Sequence, residues 1–188
     1  MATLLEEIAR LSARERVLIA AARGEGAGVD SSPDKLAALH SVVEVFETHS
    51  VPYALVGGVA VGIRSGLPRA TVDTDLAVAT TVERSRLIEM LRSAGFELRG
   101  QFAHTVKFRH ASGEPIQVMF DRAFDPMIER AQAVDVNERP IRVVITADLI
   151  VMKERAASDP ARRRSKALRD LADVALLRGD VPDPEEGW

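Results

Sequence analysis

Gly57-Gly58 and the pair Asp73 and Asp75 are the residues of this sequence whose types and spacing can do chemistry. The glycines close the apolar run "VPYALVGG" and precede "VAVGIRSG", which reads as a short strand followed by a short helix. Glycines at such a turn let a ligand approach the backbone closely, and the helix N-terminus offers free N–H groups and partial positive charge to a phosphate. Asp73 and Asp75 stand two residues apart at the start of the run "TDLAVAT", so their side chains leave one face of a strand, roughly 6.5 to 7 Å apart at Cα. Carboxylates held that way repel each other until a cation neutralises them, and they suit a hard divalent ion such as Mg²⁺. A phosphate cradle and a carboxylate pair on successive elements are the two halves of a metal-nucleotide site.

The elements that position these residues can be read from spacing. Leu4, Ile8, Leu11, Leu18 and Ala22 fall at helical intervals and predict an N-terminal helix, an accessory arm covering residues 1–30 together with the loop after it. Ser32 as N-cap and Pro33 at the first helical position start a second helix, with Leu36, Leu39, Val43 and Phe46 on its inner stripe. After the second strand, Thr80-Thr81-Val82-Glu83 has the form of a capping box opening a helix that stops at Gly95. "HTVKFRHASGEPIQVMFD" alternates on either side of "ASG" and predicts a hairpin with Gly113 in the left-handed position, pairing Val106 with Val118, Phe108 with Ile116 and Lys107 with Gln117. Beyond it lie a helix opened by Asp125-Pro126, a strand in "PIRVVIT", a helix capped by Thr146, and a last helix with Leu168, Leu171, Ala172, Ala175 and Leu176 on one side. Residues 31–180 then form the main domain and 181–188 a loose tail. Strands at about 52–56, 74–78 and 115–120 must lie side by side for Gly58, Asp73, Asp75 and Gln117 to meet.

Composition narrows the functional classes. The 188 residues carry a formal net charge of -3, which provides no global basic field for nucleic acid. There is no cysteine, so thiolate catalysis and zinc ribbons are excluded, and His40, His49, His104 and His110 lack metal-ligand spacing. Metal would be held by carboxylates. The acidic N-terminus does not read as a targeting peptide, and no apolar run approaches the roughly 20 residues of a membrane span. The expected location is the cytoplasm, with no membrane partner. "ARRRSKALR", residues 161–169, is a basic cluster on a helix end that suits solvent or an RNA or protein partner.

The run "LVGGVAVGIRSGLPRATVDTDLAV" resembles the signature of the polymerase-beta-type nucleotidyltransferase superfamily. Within it the chain is most similar to the group of AbiEii/AbiGii-type toxin nucleotidyltransferases, whose wording around the aspartates is matched by Arg69, Ala70 and Thr71, and whose C-terminal helices resemble "ADLIVMKERAA" and "RRRSKALRDLADVALL". The resemblance implies an α/β (α+β) nucleotidyltransferase fold, a mixed central sheet flanked by helices, with the N-terminal arm and C-terminal helices attached. It implies transfer of a nucleoside monophosphate from an NTP to a hydroxyl of RNA, protein or a small molecule, with two Mg²⁺ ions, and a cognate antitoxin or other partner protein. Asp73 and Asp75 would be metal ligands and catalytic residues. Gly57 and Gly58 would hold the triphosphate, with Arg69, Lys107 and Lys153 neutralising its charge. The superfamily's third carboxylate is expected where this sequence has Gln117, an amide that ligates Mg²⁺ poorly and accepts no proton. Asp121, on the same face if the strand continues, is the candidate to replace it. The alternative is a catalytically degenerate module that binds a nucleotide or a partner.

Overall fold

The computed structural model describes residues 2–23 and 34–181. In chain order the elements are α1 (Leu4–Ala22), α2 (Lys35–Thr48), β1 (Tyr53–Val56), α3 (Gly57–Ser65), β2 (Thr74–Val78), α4 (Arg84–Ser93), β3 (Glu97–Gln101), β4 (Thr105–Arg109), β5 (Pro115–Met119), α5 (Asp125–Arg130), β6 (Gln132–Val136), β7 (Arg139–Val143), α6 (Thr146–Ala157) and α7 (Arg164–Leu177). A short 3-10 turn, Arg122–Phe124, precedes α5. The strands form one mixed seven-stranded sheet in the order β3-β4-β5-β2-β1-β7-β6. β2 runs antiparallel to β1 and parallel to β5. The three strands expected to be neighbours are neighbours.

Strand alternation decides which side chains face the core. Thr74, Leu76, Val106, Phe108, Ile116 and Val118 are buried on one face of β2, β4 and β5. Asp75, Lys107 and Gln117 project from the other, because Asp75 is the register partner of Gln117 and Gln117 is the partner of Lys107. The hairpin pairing matches the sequence expectation at each of its named pairs, and Gly113 has φ of +85°. β3 and β6, which sequence reasoning left out, are the two edge strands. Each is half-solvated, and β3 carries a register shift between Leu98 and Gly100, so neither shows the alternation of an inner strand.

Several helix boundaries differ from those expected. Ser32 and Pro33 lie outside the described residues; α2 is capped by Asp34, whose side chain accepts from the Ala37 N–H at 2.9 Å. The Thr80–Glu83 capping box does not form. Glu83 occupies the N-cap of α4 without a side-chain bond, because Thr80 is drawn instead to Asp125 through its N–H (2.9 Å) and hydroxyl (2.5 Å). Thr146 is the first helical residue of α6, not its cap. The helix read as an accessory arm, α1, is docked: Leu5 and Ile8 are buried, and Ile8 fills the space above Gly62 of α3. On α7 the expected apolar side is turned to solvent, with Leu168 56% and Leu171 52% exposed, while Asp170, Asp173, Val174 and Leu177 are buried. The cause is electrostatic and belongs to the site.

Candidate active site

The turn from β1 into α3 carries Gly57 at φ +69°, a left-handed conformation that favours glycine. A Cβ there would lie 2.1 Å from Asp75 Oδ2, so the missing side chain lets the backbone press against the carboxylate. At Gly58 a Cβ would meet Arg69 Nη1 at 2.4 Å and Thr71 Oγ1 at 2.6 Å. Val56 is the N-cap of α3 and supplies no side-chain bond, so the first-turn amides have no side-chain cap and suit phosphate oxygens. Asp75 therefore packs on Gly57 and Arg69 on Gly58, both against the start of α3.

Asp75 is partly buried, and its carboxyl is raised from 3.8 to about 7, first by burial and then by the neighbouring Asp73 charge. Lys153, Lys35 and Arg69 oppose that rise. Lys153, on α6, is not the solvated lysine of a simple amphipathic helix: it is buried, and its Nζ lies 2.9 Å from Asp170 Oδ1 and 2.8 Å from Asp173 Oδ2. Asp173 also accepts from Arg69 Nε, and Asp170 from Arg162 Nε. These ion pairs explain the orientation of α7. Its acidic edge points inward to meet the buried Lys153 and the part-buried Arg69 and Arg162, and Leu168 and Leu171 are left outside.

A second cluster lies on the opposite face of β2. Thr74, between the two aspartates, is fully buried and donates its hydroxyl to Glu114 Oε1 at 3.2 Å. Lys35 Nζ donates to the same carboxylate, and Arg16 Nη1 and Nη2 reach Oε2 at 3.3 and 3.4 Å. Burial pulls the Lys35 ammonium down, against Glu114, which holds it up. Arg16 also donates to the Val72 carbonyl at 3.3 Å, and Ser12 Oγ accepts from the Thr71 N–H at 3.0 Å. Thus α1 and α2 clamp the strand that presents the aspartates.

Of the residues singled out from the sequence, Gly57, Gly58, Asp73, Asp75, Arg69 and Lys153 converge around this turn. Lys107 stands on the far side of Gln117. Asp121 is elsewhere: it begins the 3-10 turn, accepts from the Ala123 N–H at 2.9 Å and lies 3.7 Å from His104 Nδ1. β5 ends at Met119, two residues before Asp121, so the strand continuation on which its candidacy as substitute third carboxylate depends is not part of β5. Asp170, Asp173, Glu114, Lys35, Thr74 and Arg16 were missed. The "DLAD" spacing in α7 was a usable signal for the first two, since Asp170 and Asp173 share a helix face.

Among the described residues no group of three or more His, Cys, Asp or Glu is placed to hold a metal ion. The pair nevertheless suits a magnesium ion that arrives with phosphate oxygens, since Mg²⁺ is commonly held by one or two carboxylates plus substrate phosphates. A cation there would also offset the repulsion that raises Asp75. Among the described residues the second ion implied by the resemblance has no third carboxylate beside the pair, where Gln117 offers only an amide.

The family described as "Nucleotidyl transferase AbiEii toxin, Type IV TA system" matches residues 42–186. No curated protein matches the chain in sequence. Among solved structures, the lincomycin-bound lincosamide antibiotic adenylyltransferase LnuA is similar at a TM-score of 0.58 and 14% identity, covering 78% of this chain and 98% of that one. ANT(2")-Ia in complex with adenylyl-2"-tobramycin gives 0.57 and 16%, covering 78% and 88%. An antigenic nucleotidyltransferase-like protein from Paracoccidioides brasiliensis gives 0.55 and 23%, covering 83% and 81%. At these identities the likeness is one of fold.

Proposed function

The chain belongs to the AbiEii nucleotidyl transferase toxin family, and on that premise we propose that its glycine turn and aspartate pair bind a magnesium-nucleoside triphosphate and transfer the nucleoside monophosphate to an acceptor hydroxyl. The observation that carries the reading is the contact of Gly57 with Asp75: a backbone position without a Cβ lies against a carboxylate whose charge burial disfavours. Uncapped α3 amides cradle the phosphates, and Asp73 with Asp75 hold the cation. Bound magnesium supplies the positive charge that steadies the phosphates and the carboxylate pair. Arg69 and Lys153 line the cradle, each held in place by Asp173. In the transfer a bond forms from the acceptor oxygen to the α-phosphorus as the bond to the leaving pyrophosphate breaks, and the hydroxyl proton passes to water at the open face of β5. The protein acts in the cytoplasm as the toxin of a pair with a cognate antitoxin.

A second reading is favoured by Gln117. It occupies the register position beside Asp75 without a charge, so a nucleotide can be held while the general base of the superfamily is missing. In this reading the chain is a nucleotide-binding or partner-binding module. One experiment separates the two: purified protein incubated with each α-labelled triphosphate and Mg²⁺, with bulk RNA, cell protein and small acceptors present. Label transferred by the native chain and not by Asp73→Asn/Asp75→Asn supports the transferase. Nucleotide bound without transfer to any acceptor supports the module, and absence of both binding and transfer refutes the site.

A further inference from the structure

We propose that the cleft on the β3-β4 side of Asp73 is an anion subsite that receives a phosphate group of the acceptor, so that the acceptor is a phosphate-bearing molecule and not a neutral or cationic one. This rests on the transferase reading. In-line displacement sets the entering hydroxyl opposite the leaving pyrophosphate. The phosphate cradle, α3, lies beside β1, on one side of Asp75, and β5 lies on the other. The acceptor therefore approaches across Gln117 and β4. There the structure has a cleft of about 180 Å³ that joins Asp73 and Gln117 to Arg99, Lys107 and Arg109.

The cations of the two sides differ in one respect. On the nucleotide side and beneath β2, Arg69, Lys153, Arg162, Lys35 and Arg16 each have a carboxylate partner. On the acceptor side Arg99 is paired only with the exposed Glu97, at 2.8 Å, and Lys107 and Arg109 have no ion-pair partner among the described residues. Lys107 is one strand beyond Gln117 and two beyond Asp75 in register, which puts its Cα about 10 Å from that of Asp75. That reach suits a phosphate one group away from the reacting hydroxyl. Lys107 and Arg109, with Arg99 beside them on an exposed pair that a ligand can displace, suit phosphate through charge-assisted hydrogen bonds and repel a polycation.

The test uses the full chain and the variant Arg99→Gln/Arg109→Gln, both exposed positions outside the nucleotide cradle. The probe is a fluorescein-labelled, 5'-phosphorylated single-stranded hexanucleotide, read by anisotropy with magnesium-NTP present and competed by ribose 5-phosphate, ribose or spermine. The native chain is expected to bind it, and the variant to bind at least 10-fold more weakly, with an unchanged thermal shift from magnesium-NTP. Competition by ribose 5-phosphate but not ribose assigns the phosphate to a small ester; competition by unlabelled oligonucleotide alone assigns it to a nucleic-acid end. Equal binding by native and variant chains, no binding by the native chain, or displacement of probe through binding of spermine to the protein overturns the subsite. Probe binding without any magnesium-NTP shift removes the transferase reading and, with it, the assignment of this cleft to an acceptor.

Discussion

Replacing Asp75 by asparagine should stabilise the ligand-free protein at neutral pH, against the usual direction of a substitution in a packed site. Burial, and then Asp73, lift the Asp75 carboxyl from 3.8 to about 7. Between those values the folded state holds a proton that the unfolded chain has released, so stability falls as pH rises from about 4 to about 7 and stays reduced above. The full difference corresponds to about 4 kcal/mol at pH 8. Asp75→Asn would remove it, but would also take a counter-charge from Lys153, Lys35 and Arg69, so a net gain of about 2 kcal/mol is the expectation. For a chain of this size that is a rise in Tm of roughly 4 to 8 °C. Thermal unfolding of both proteins at pH 8 and pH 4, without nucleotide or divalent cation, measures it. The gain should be present at pH 8 and largely absent at pH 4, where both side chains are neutral. A variant less stable than the native chain at pH 8, or a gain equal at both pH values, would refute the claim that this site stores electrostatic strain.

Other perturbations have equally direct outcomes. Gly57→Ala puts a Cβ 2.1 Å from Asp75 Oδ2 at φ +69° and should cost about 1–3 kcal/mol by urea denaturation, while removing the nucleotide-induced thermal shift. Lys35→Met leaves Glu114 buried with Arg16 and Thr74 alone, and should cost about 3–5 kcal/mol; adding Glu114→Gln should recover part of that loss in a double-mutant cycle. Gln117→Asp restores a carboxylate beside Asp75 and should raise transfer by roughly 10²-fold if the missing base limits it, whereas Asp121→Asn should leave transfer near the native rate. A loss of transfer in Asp121→Asn with no gain in Gln117→Asp would return Asp121 to the reacting centre.

The features legible in the sequence are those fixed by local spacing. The glycine turn, the two aspartates on one strand face and the hairpin register around Gly113 each depend on a few adjacent residues, and the structure has them where the spacing puts them. What was not legible depends on long-range partners. Nothing local to α7 says that Asp173 turns inward to meet Arg69, 104 residues away, so its leucines were read as the buried side. Lys35 and Arg16 meet Glu114 across 79 and 98 residues, and the loop position of Glu114 gives no hint that its carboxylate is fully buried. The edge strands escaped for a different reason. With one ladder unpaired they need little apolar alternation, and "ELRGQ" and "QAVDV" have little. The Thr80–Glu83 motif shows the converse error, a local pattern overridden by a tertiary acceptor, Asp125.

The central claim is that Asp73 and Asp75, facing the glycine turn, hold a magnesium-nucleotide. Isothermal titration of each NTP into the native chain and into Asp73→Asn/Asp75→Asn, with and without Mg²⁺, tests it most directly. The account predicts binding of at least one NTP that requires Mg²⁺ and is lost in the double variant while the fold persists. Binding of the same affinity in the double variant, or binding indifferent to Mg²⁺, would contradict it.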